Sequence, residues 1–170
     1  MRLAGGPIRV RFARQLSARR GRLLSEVAAG TPVHAGTFLR RREIVLDAEL
    51  LKNPCELGRI VVHELFHFVW PRLDNLTRRS WEALLEAEFR RRARGELGWS
   101  AEWRKRELRA ADRAQRSRLW REYVCESFCD TAAWLLPGGR RHEEFTLAPA
   151  FRRLRQRWFV RLLAAGAVSI

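Results

Sequence analysis

Cysteine is scarce in this chain, and its number is odd. The 170 residues include three cysteines, Cys55, Cys125 and Cys129. Three cysteines in a chain of this length do not form the paired disulfide framework that holds small secreted proteins together. The sequence therefore indicates a reducing compartment.

Long apolar runs are also missing. The first residues, MRLAGGPIRVRFARQ, contain no apolar stretch of signal-peptide length. No segment approaches the roughly 20 apolar residues that cross a bilayer, and the final WFVRLLAAGAVSI is interrupted by Arg161. We therefore predict a cytoplasmic protein without a membrane partner.

Acidic residues are few beside the basic ones. The chain has 19 Asp and Glu against 34 Lys and Arg, nearly all of them arginine, which gives a formal net charge of +15. Such a charge attracts phosphates, anionic lipid or acidic proteins. Because no nucleic-acid-binding motif accompanies the charge, we favour the interpretation that the arginine bias reflects genome composition and that the charge keeps the protein soluble. A nucleic-acid partner remains an open alternative.

The apolar residues that are present, 46% of the chain, are enough for a real core, so we expect one domain over 1–170. Alternation at 8–12 predicts a strand, and apolar spacing at 14–29 predicts a helix that ends at Gly30. Segments 31–34 and 37–47 predict two strands joined by a turn at Ala35-Gly36. The result is a small, mostly antiparallel sheet in an α+β fold.

Three further helices are predicted, over about 54–70, 118–136 and 148–165. The first is apolar all round, as a buried helix is, and Pro71 ends it; the second ends at Pro137. Between them, about 78–117 is a charged helical hairpin with its turn at Gly95 and Gly98, which we expect at the surface. Its aromatic side chains at helical spacing are expected on the buried face: Trp81, Trp99, Trp103 and, just beyond, Trp120.

The 54–70 helix contains the motif H-E-x-x-H. His63 and His67 are four residues apart, so their rings lie one turn apart on one helix face, close enough to bind a single metal ion. Glu64 projects beside the same point. This arrangement is typical of zinc hydrolases, in which the metal lowers the pKa of water and the carboxylate takes the proton. The alternative is a pair of core histidines bonded to the backbone.

A catalytic zinc site usually has three protein ligands, so a third is needed. Glu126 and Asp130 stand four apart on the apolar 118–136 helix, where two inward carboxylates would repel each other without a cation. Glu126 is the candidate ligand, and Asp130 is the candidate acceptor for the outer ring nitrogen of a liganding histidine. The alternative is that both belong to an exposed stripe.

Together, His63-Glu64-Leu65-Phe66-His67 and Glu126-Ser127-Phe128-Cys129-Asp130 resemble the H-E-x-x-H plus E-x-x-x-D signature of gluzincin metallopeptidases, the zincin branch that includes thermolysin. The chain is also similar to small single-domain peptidases of the ImmA/IrrE kind. The resemblance implies a zincin-like fold, a Zn²⁺ cofactor and peptide hydrolysis. It also implies that residues 42–47 are the edge strand that pairs with substrate.

Transition-state stabilisation has two candidates, Tyr123 and His142, although a tyrosine there is more often core and a histidine in an arginine-rich loop more often surface. For Cys125 and Cys129 we favour packing over metal binding, because cysteine is commonly buried. We therefore predict a zinc metalloendopeptidase that acts on peptides or proteins. The basic hairpin would rim its cleft and give it a preference for acidic substrates. The alternatives are a basic nucleic-acid-associated protein and a catalytically inactive zincin.

Overall fold

The computed structural model describes residues 2–20, 22–26, 30–136, 141–166 and 168–170 as a mixed α+β structure, which confirms the predicted class. The helices are α1 (Pro54–Val69), α2 (Asn75–Arg90), α3 (Trp99–Glu107), α4 (Ala110–Ala114), α5 (Arg118–Leu135) and α6 (Pro149–Ala164). The strands are β1 (Leu3–Ala4), β2 (Arg9–Ala13), β3 (Ser17–Arg19), β4 (Arg22–Leu24), β5 (Thr31–Pro32), β6 (Ala35–Phe38), β7 (Glu43–Asp47) and β8 (Val168–Ser169). Within these ranges, every helix is too short or too polar to cross a bilayer.

The main sheet is mixed rather than mostly antiparallel. Its order is β2-β7-β6, with β2 parallel to β7 and β6 antiparallel to it. Residues 42–47 were predicted as the edge strand, but β7 lies in the centre of this sheet, so that prediction is wrong. The edge nearest the H-E-x-x-H helix is β6. A second, antiparallel sheet has the order β4-β3-β5, and β1 pairs with β8.

The helix predicted over 14–29 is also wrong. The described part of this segment forms the β3–β4 hairpin, in which Ser17 pairs with Leu24. Gln15, Arg20 and Glu26 all have positive φ, and a residue in that conformation ends a right-handed helix. Of the apolar residues that suggested helical spacing, Leu16 is 3% exposed just before β3, and Leu23 and Leu24 are partly buried in β4. Residues 27–29 lie outside the described ranges.

The turn predicted at Ala35-Gly36 lies elsewhere. Both residues are within β6, where they pair with Leu46 and Val45 of β7. The chain reverses over residues 39–42 instead, through a short 3-10 turn that ends at Arg42 with φ of 49°. Residues 39–42 contain no glycine, and the turn was therefore predicted at the nearest one, Gly36.

Helix α1 begins and ends where the sequence predicts. The side chain of Asn53 accepts a hydrogen bond from the Glu56 backbone N–H, and Pro54 occupies the first turn, where its missing N–H costs nothing. A 3-10 turn that contains Pro71 follows the helix. Helix α5 likewise covers the predicted segment; its expected stop at Pro137 lies outside the described residues.

Opposite faces of α1 pack against the main sheet and against α5. Ile60 and Phe68 belong to a buried cluster with Ile44 of β7. Phe66 packs against Phe128 of α5, with ring centroids 5.6 Å apart. Burial on both faces explains why the α1 sequence is apolar all round. It also brings the two motif-bearing helices into direct contact.

The charged segment over 78–117 is only partly the surface hairpin that its composition predicts. Gly95 and Gly98 do lie between α2 and α3. However, Trp81 and Trp120 are buried, whereas Trp99 is 59% and Trp103 37% exposed, so the expected burial holds for only two of the four tryptophans. The segment therefore contributes to the core as well as to the surface.

A fully buried ion cluster connects this segment to α6. The Arg155 guanidinium donates to the Glu88 carboxylate at 2.6 Å and to the Glu96 carboxylate at 2.6 Å. Lys105 also bonds Glu96, at 2.9 Å. Arg155, Glu88 and Glu96 are each at most 1% exposed. Buried charges are tolerated when they are paired in this way.

Candidate metal centre

Helix α1 places two imidazoles on one face. His63 and His67 are one turn apart, and their Nε2 atoms approach to 3.2 Å. His63 is 7% exposed, so the centre lies at the edge of the core rather than on an open surface. At this separation both ring nitrogens can contact one small ion placed beside them.

Helix α5 supplies an acid to the same volume. Glu126 Oε2 lies 3.2 Å from His63 Nε2 and 3.8 Å from His67 Nε2. The Phe66–Phe128 contact between α1 and α5 sets this approach. The structure thus brings together the three side chains that the sequence analysis assigned as ligands.

Asp130 lies directly behind His63. Its Oδ1 is 2.8 Å from His63 Nδ1, and its Oδ2 accepts a hydrogen bond from the Ala101 backbone N–H at 3.1 Å. When Nδ1 alone carries a proton, the lone pair of Nε2 is directed at His67 and Glu126. This is the way an outer carboxylate fixes the tautomer of a metal-binding histidine.

The electrostatics of the centre favour positive charge between the carboxylates of Glu126 and Asp130. Burial alone would lower the pKa of His63, but the carboxylates of Asp130 and Glu126 raise it well above its usual value. Burial would raise the pKa of Glu126, yet the hydrogen bond from His63 and the nearby charges lower it to about 2. Glu126 is thus held ionised beside two imidazoles.

The donor set fits zinc. Two donors that each lie about 2.0–2.1 Å from a tetrahedral ion are about 3.3 Å apart. The Nε2–Nε2 and His63–Glu126 separations of 3.2 Å match that value, and the His67–Glu126 separation of 3.8 Å is slightly longer. Two imidazole nitrogens and one carboxylate oxygen are also ligands that zinc accepts in hydrolases, with one position left open.

Glu64 follows His63 in α1, and its side chain is held by the edge strand. The Thr37 hydroxyl of β6 donates to Glu64 Oε2 at 2.6 Å. Glu64 is 8% exposed, and its carboxylate is not among the groups that converge as ligands. Its role as the proton acceptor stays a prediction of the motif. Thr37 could not be predicted from the sequence, because its contact with Glu64 depends on how β6 packs on α1.

Arg104 of α3 is a further residue that sequence reasoning missed. Its Nη2 lies 3.4 Å from Glu126 Oε1, so the two oxygens of Glu126 face different partners. Its buried Nε has no hydrogen-bond acceptor among the described residues, while Nη1 donates to the Ser100 carbonyl at 2.8 Å. Arg104 therefore occupies the Oε1 side of Glu126, and Oε2 is the oxygen that faces the two histidines.

Tyr123 and His142, the candidate transition-state stabilisers, do not reach the centre. Tyr123 is fully buried, and its hydroxyl donates to Glu96 at 2.6 Å within the ion cluster. His142 Nε2 lies 3.3 Å from Glu56, two helical turns before His63. Helical periodicity could place Tyr123 on α5 but not show which way its hydroxyl points.

The comparisons with known proteins add no family assignment to these geometric observations. No protein-family model, no curated protein and no solved structure matches this chain. The class of site is therefore defined by its own residues: a two-imidazole, one-carboxylate centre on two packed helices, with an adjacent glutamate.

Proposed function

We propose that this protein is a zinc-dependent endopeptidase with a gluzincin-like site in a zincin-like fold. The observation that carries the proposal is the position of Glu126 Oε2, 3.2 Å from His63 Nε2, while Asp130 engages the other nitrogen of the same ring. A buried pair of core histidines would need neither carboxylate. The alternative of an exposed stripe is disfavoured, because Asp130 is 2% exposed.

Each residue has a distinct role in the proposed reaction. His63, His67 and Glu126 would hold zinc, which when bound supplies a Lewis acid that polarises the scissile carbonyl. Glu64 accepts the proton of the water that adds to the carbonyl carbon. The same carboxylic acid then gives that proton to the amine nitrogen as the C–N bond breaks. Thr37 orients Glu64, and Asp130 orients His63.

The edge strand β6 is the surface for an extended peptide. One side of β6 pairs with β7, and within the described residues its other side has no strand beside it. A substrate can add there through backbone hydrogen bonds, next to Thr37 and Glu64. Exposed Arg40 and Arg41 follow β6, and with the net charge of +15 they favour acidic substrates in the cytoplasm.

A second candidate function, nucleic-acid binding, draws on one observation. Trp99 is 59% exposed in an arginine-rich segment, where an aromatic ring can stack on a base. Retention on DNA or RNA that falls steeply with salt, in protein that elemental analysis finds free of metal, would favour this function over hydrolysis.

The test of the peptidase compares three variants. Glu64→Gln should keep one zinc per chain and lose cleavage of denatured protein and of an acidic peptide library. His63→Ala should lose zinc, whereas His34→Ala, which alters an exposed histidine, should keep both properties. Measurements are elemental analysis and mass spectrometry of products.

Two results would count against this assignment. Cleavage retained by Glu64→Gln would exclude the mechanism, and zinc retained by His63→Ala would exclude the ligands. One zinc per chain with no cleavage by the unmodified protein would instead identify an inactive zincin.

A further inference from the structure

The outer side of His67 contacts two cysteines. While Nε2 of His67 faces His63, its Nδ1 lies 3.7 Å from Cys125 Sγ. Cys129 follows one turn later on α5. The three atoms, one nitrogen and two sulfurs, all lie within 4.8 Å of one another. His67 is thus shared between two groups of potential ligands.

The second group differs in chemistry from the first. It contains two thiols and an imidazole and no carboxylate, and thiol sulfur selects soft cations such as Cu⁺, Cd²⁺ and Zn²⁺ over Mg²⁺ or Ca²⁺. Cys129 is fully buried and Cys125 half-buried. Hard cations that keep a water shell do not fit such a position. Cys55 is exposed on α1 and does not belong to this group.

We propose that His67, Cys125 and Cys129 form a second metal site, selective for thiophilic cations, that shares His67 with the first centre. Binding a cation there removes the two thiol protons and the Nδ1 proton of His67, which pass to solvent. The sulfurs and Nδ1 then donate their lone pairs. The packing interpretation of the two cysteines becomes incomplete, because their sulfurs converge on a ligand nitrogen.

Sharing one ring creates competition between the two sites. A neutral imidazole has a lone pair on only one of its two nitrogens. Unless the ring loses both protons, His67 can serve either the cysteines or the His63 and Glu126 centre. A soft cation therefore weakens zinc binding at the first centre and inhibits hydrolysis. This last consequence rests on the proposed function, whereas the binding itself does not.

The test is a Cd²⁺ titration of the reduced full chain, in a Cys55→Ser background that removes the exposed thiol. Cadmium–thiolate absorption in the near ultraviolet reports only sulfur ligation, so Cd²⁺ at a nitrogen and carboxylate site is silent. We expect saturable absorption whose Cd²⁺ affinity Cys125→Ser weakens by more than about 100-fold, which exceeds the roughly 10- to 100-fold loss caused by removing an outer contact. Cys129→Ala should act in the same way.

His63→Ala separates this site from the first centre, since it removes a zinc ligand and leaves the thiols in place. It should keep the cadmium–thiolate absorption whether or not the protein is a peptidase. Absence of saturable absorption, its persistence in Cys125→Ser, or its loss in His63→Ala would each overturn the proposal. Circular dichroism checks folding, and half-buried Cys125 serves as the test position if Cys129→Ala does not fold.

Competition is measured by zinc release. Cd²⁺ can also displace zinc directly, but that displacement does not need the cysteines. We therefore expect Cd²⁺ to release zinc at a concentration at least about 10-fold lower in the Cys55→Ser protein than in the same protein with Cys125→Ser. Equal concentrations would show that the two sites do not compete.

Discussion

The contact between Asp130 and the backbone of α3 depends on a glycine. Gly98 precedes α3, and a Cβ atom there would lie 2.3 Å from the Asp130 carboxylate. The φ of Gly98 is 179°, an extended value that any residue adopts, so the glycine is needed for space and not for its backbone conformation. Gly98 therefore leaves room for the Asp130 carboxylate, and that carboxylate holds Nδ1 of His63.

We expect Gly98→Ala to move Asp130 away from His63. Outer-shell contacts of this kind contribute about 10- to 100-fold to metal affinity, so zinc affinity should fall by that factor. Competition with a chelating dye measures it. Gly6→Ala is the matched control, because its Cβ would meet only the Arg42 side chain at 3.6 Å. Unchanged affinity in Gly98→Ala would show that Asp130 does not position the ring.

At the residue scale, the sequence predicts what helical periodicity determines. His63 and His67, like Glu126 and Asp130, are four apart on apolar helices, so their shared faces could be predicted. Thr37, Gly98 and Arg104 reach the centre from β6 and α3, and only tertiary packing brings them there. The same limit explains Tyr123, whose helix was predicted but whose hydroxyl points to Glu96.

At the element scale, Arg155 connects α6 to α2 and to the segment before α3. Arg155→Met leaves the buried carboxylates of Glu88 and Glu96 without their main partner. Removing one member of a buried ion pair costs about 3–5 kcal/mol, so we expect a loss of that size in the free energy of unfolding. Urea unfolding measures it. Arg153→Met, on the exposed side of α6, should cost far less.

Glu96 also makes stability depend on pH. Burial would raise the pKa of Glu96, but Arg155, Lys105 and the Tyr123 hydroxyl lower it from 4.5 to about 2. A carboxyl whose pKa is lower in the folded chain stabilises the fold fully above its unfolded pKa. That contribution is lost as the pH falls through the folded value.

We therefore expect the free energy of unfolding to decline as the pH falls from about 4.5 to 2. Urea titrations at successive pH values measure this decline. Glu96→Gln should reduce this slope, because the amide does not titrate. An identical slope in both proteins would assign the acid sensitivity to other carboxyls.

Elements were predictable where the local signals agreed. Helix α1 has a capping Asn53, a first-turn proline and apolar residues on all sides, and all three agree. In 14–29, apolar leucines fit either a helix or a hairpin, and the residues with positive φ that decided the outcome are glutamine, arginine and glutamate, which sequence rules do not mark. The order of strands in the main sheet depends on long-range pairing and could not be read from local pattern.

At the scale of the whole molecule, the centre is assembled from distant parts of the chain. Residue 37 on β6, 63–67 on α1, 104 on α3 and 126–130 on α5 meet there. Acidic and basic side chains occupy different parts of the molecule. Several acids are buried or paired, such as Glu96, Glu126 and Asp130, whereas most of the described arginines are exposed. The exterior is therefore more basic than the centre it surrounds.

Under the proposed zinc binding, removal of the metal should leave the fold intact. The ligands are carried by helices held together by aromatic packing, and Phe128 lies 5.0 Å from Phe159 and 5.6 Å from Phe66 in ring-centroid distance. Small proteins whose core forms only around zinc unfold when it is chelated. Here we expect a chelator to abolish hydrolysis while the far-ultraviolet circular dichroism changes little. Loss of the helical signal would show that zinc is needed for folding.

Under the proposed zinc binding, the aromatic contact between α1 and α5 would be a rigid support for an exchangeable ion. A support that persists without its ion can be emptied by dialysis and refilled with Co²⁺, whose visible spectrum reports the number and type of its ligands. Under the proposed zinc binding, the packing of two phenylalanines would thus allow a spectroscopically silent ion to be replaced by a coloured one.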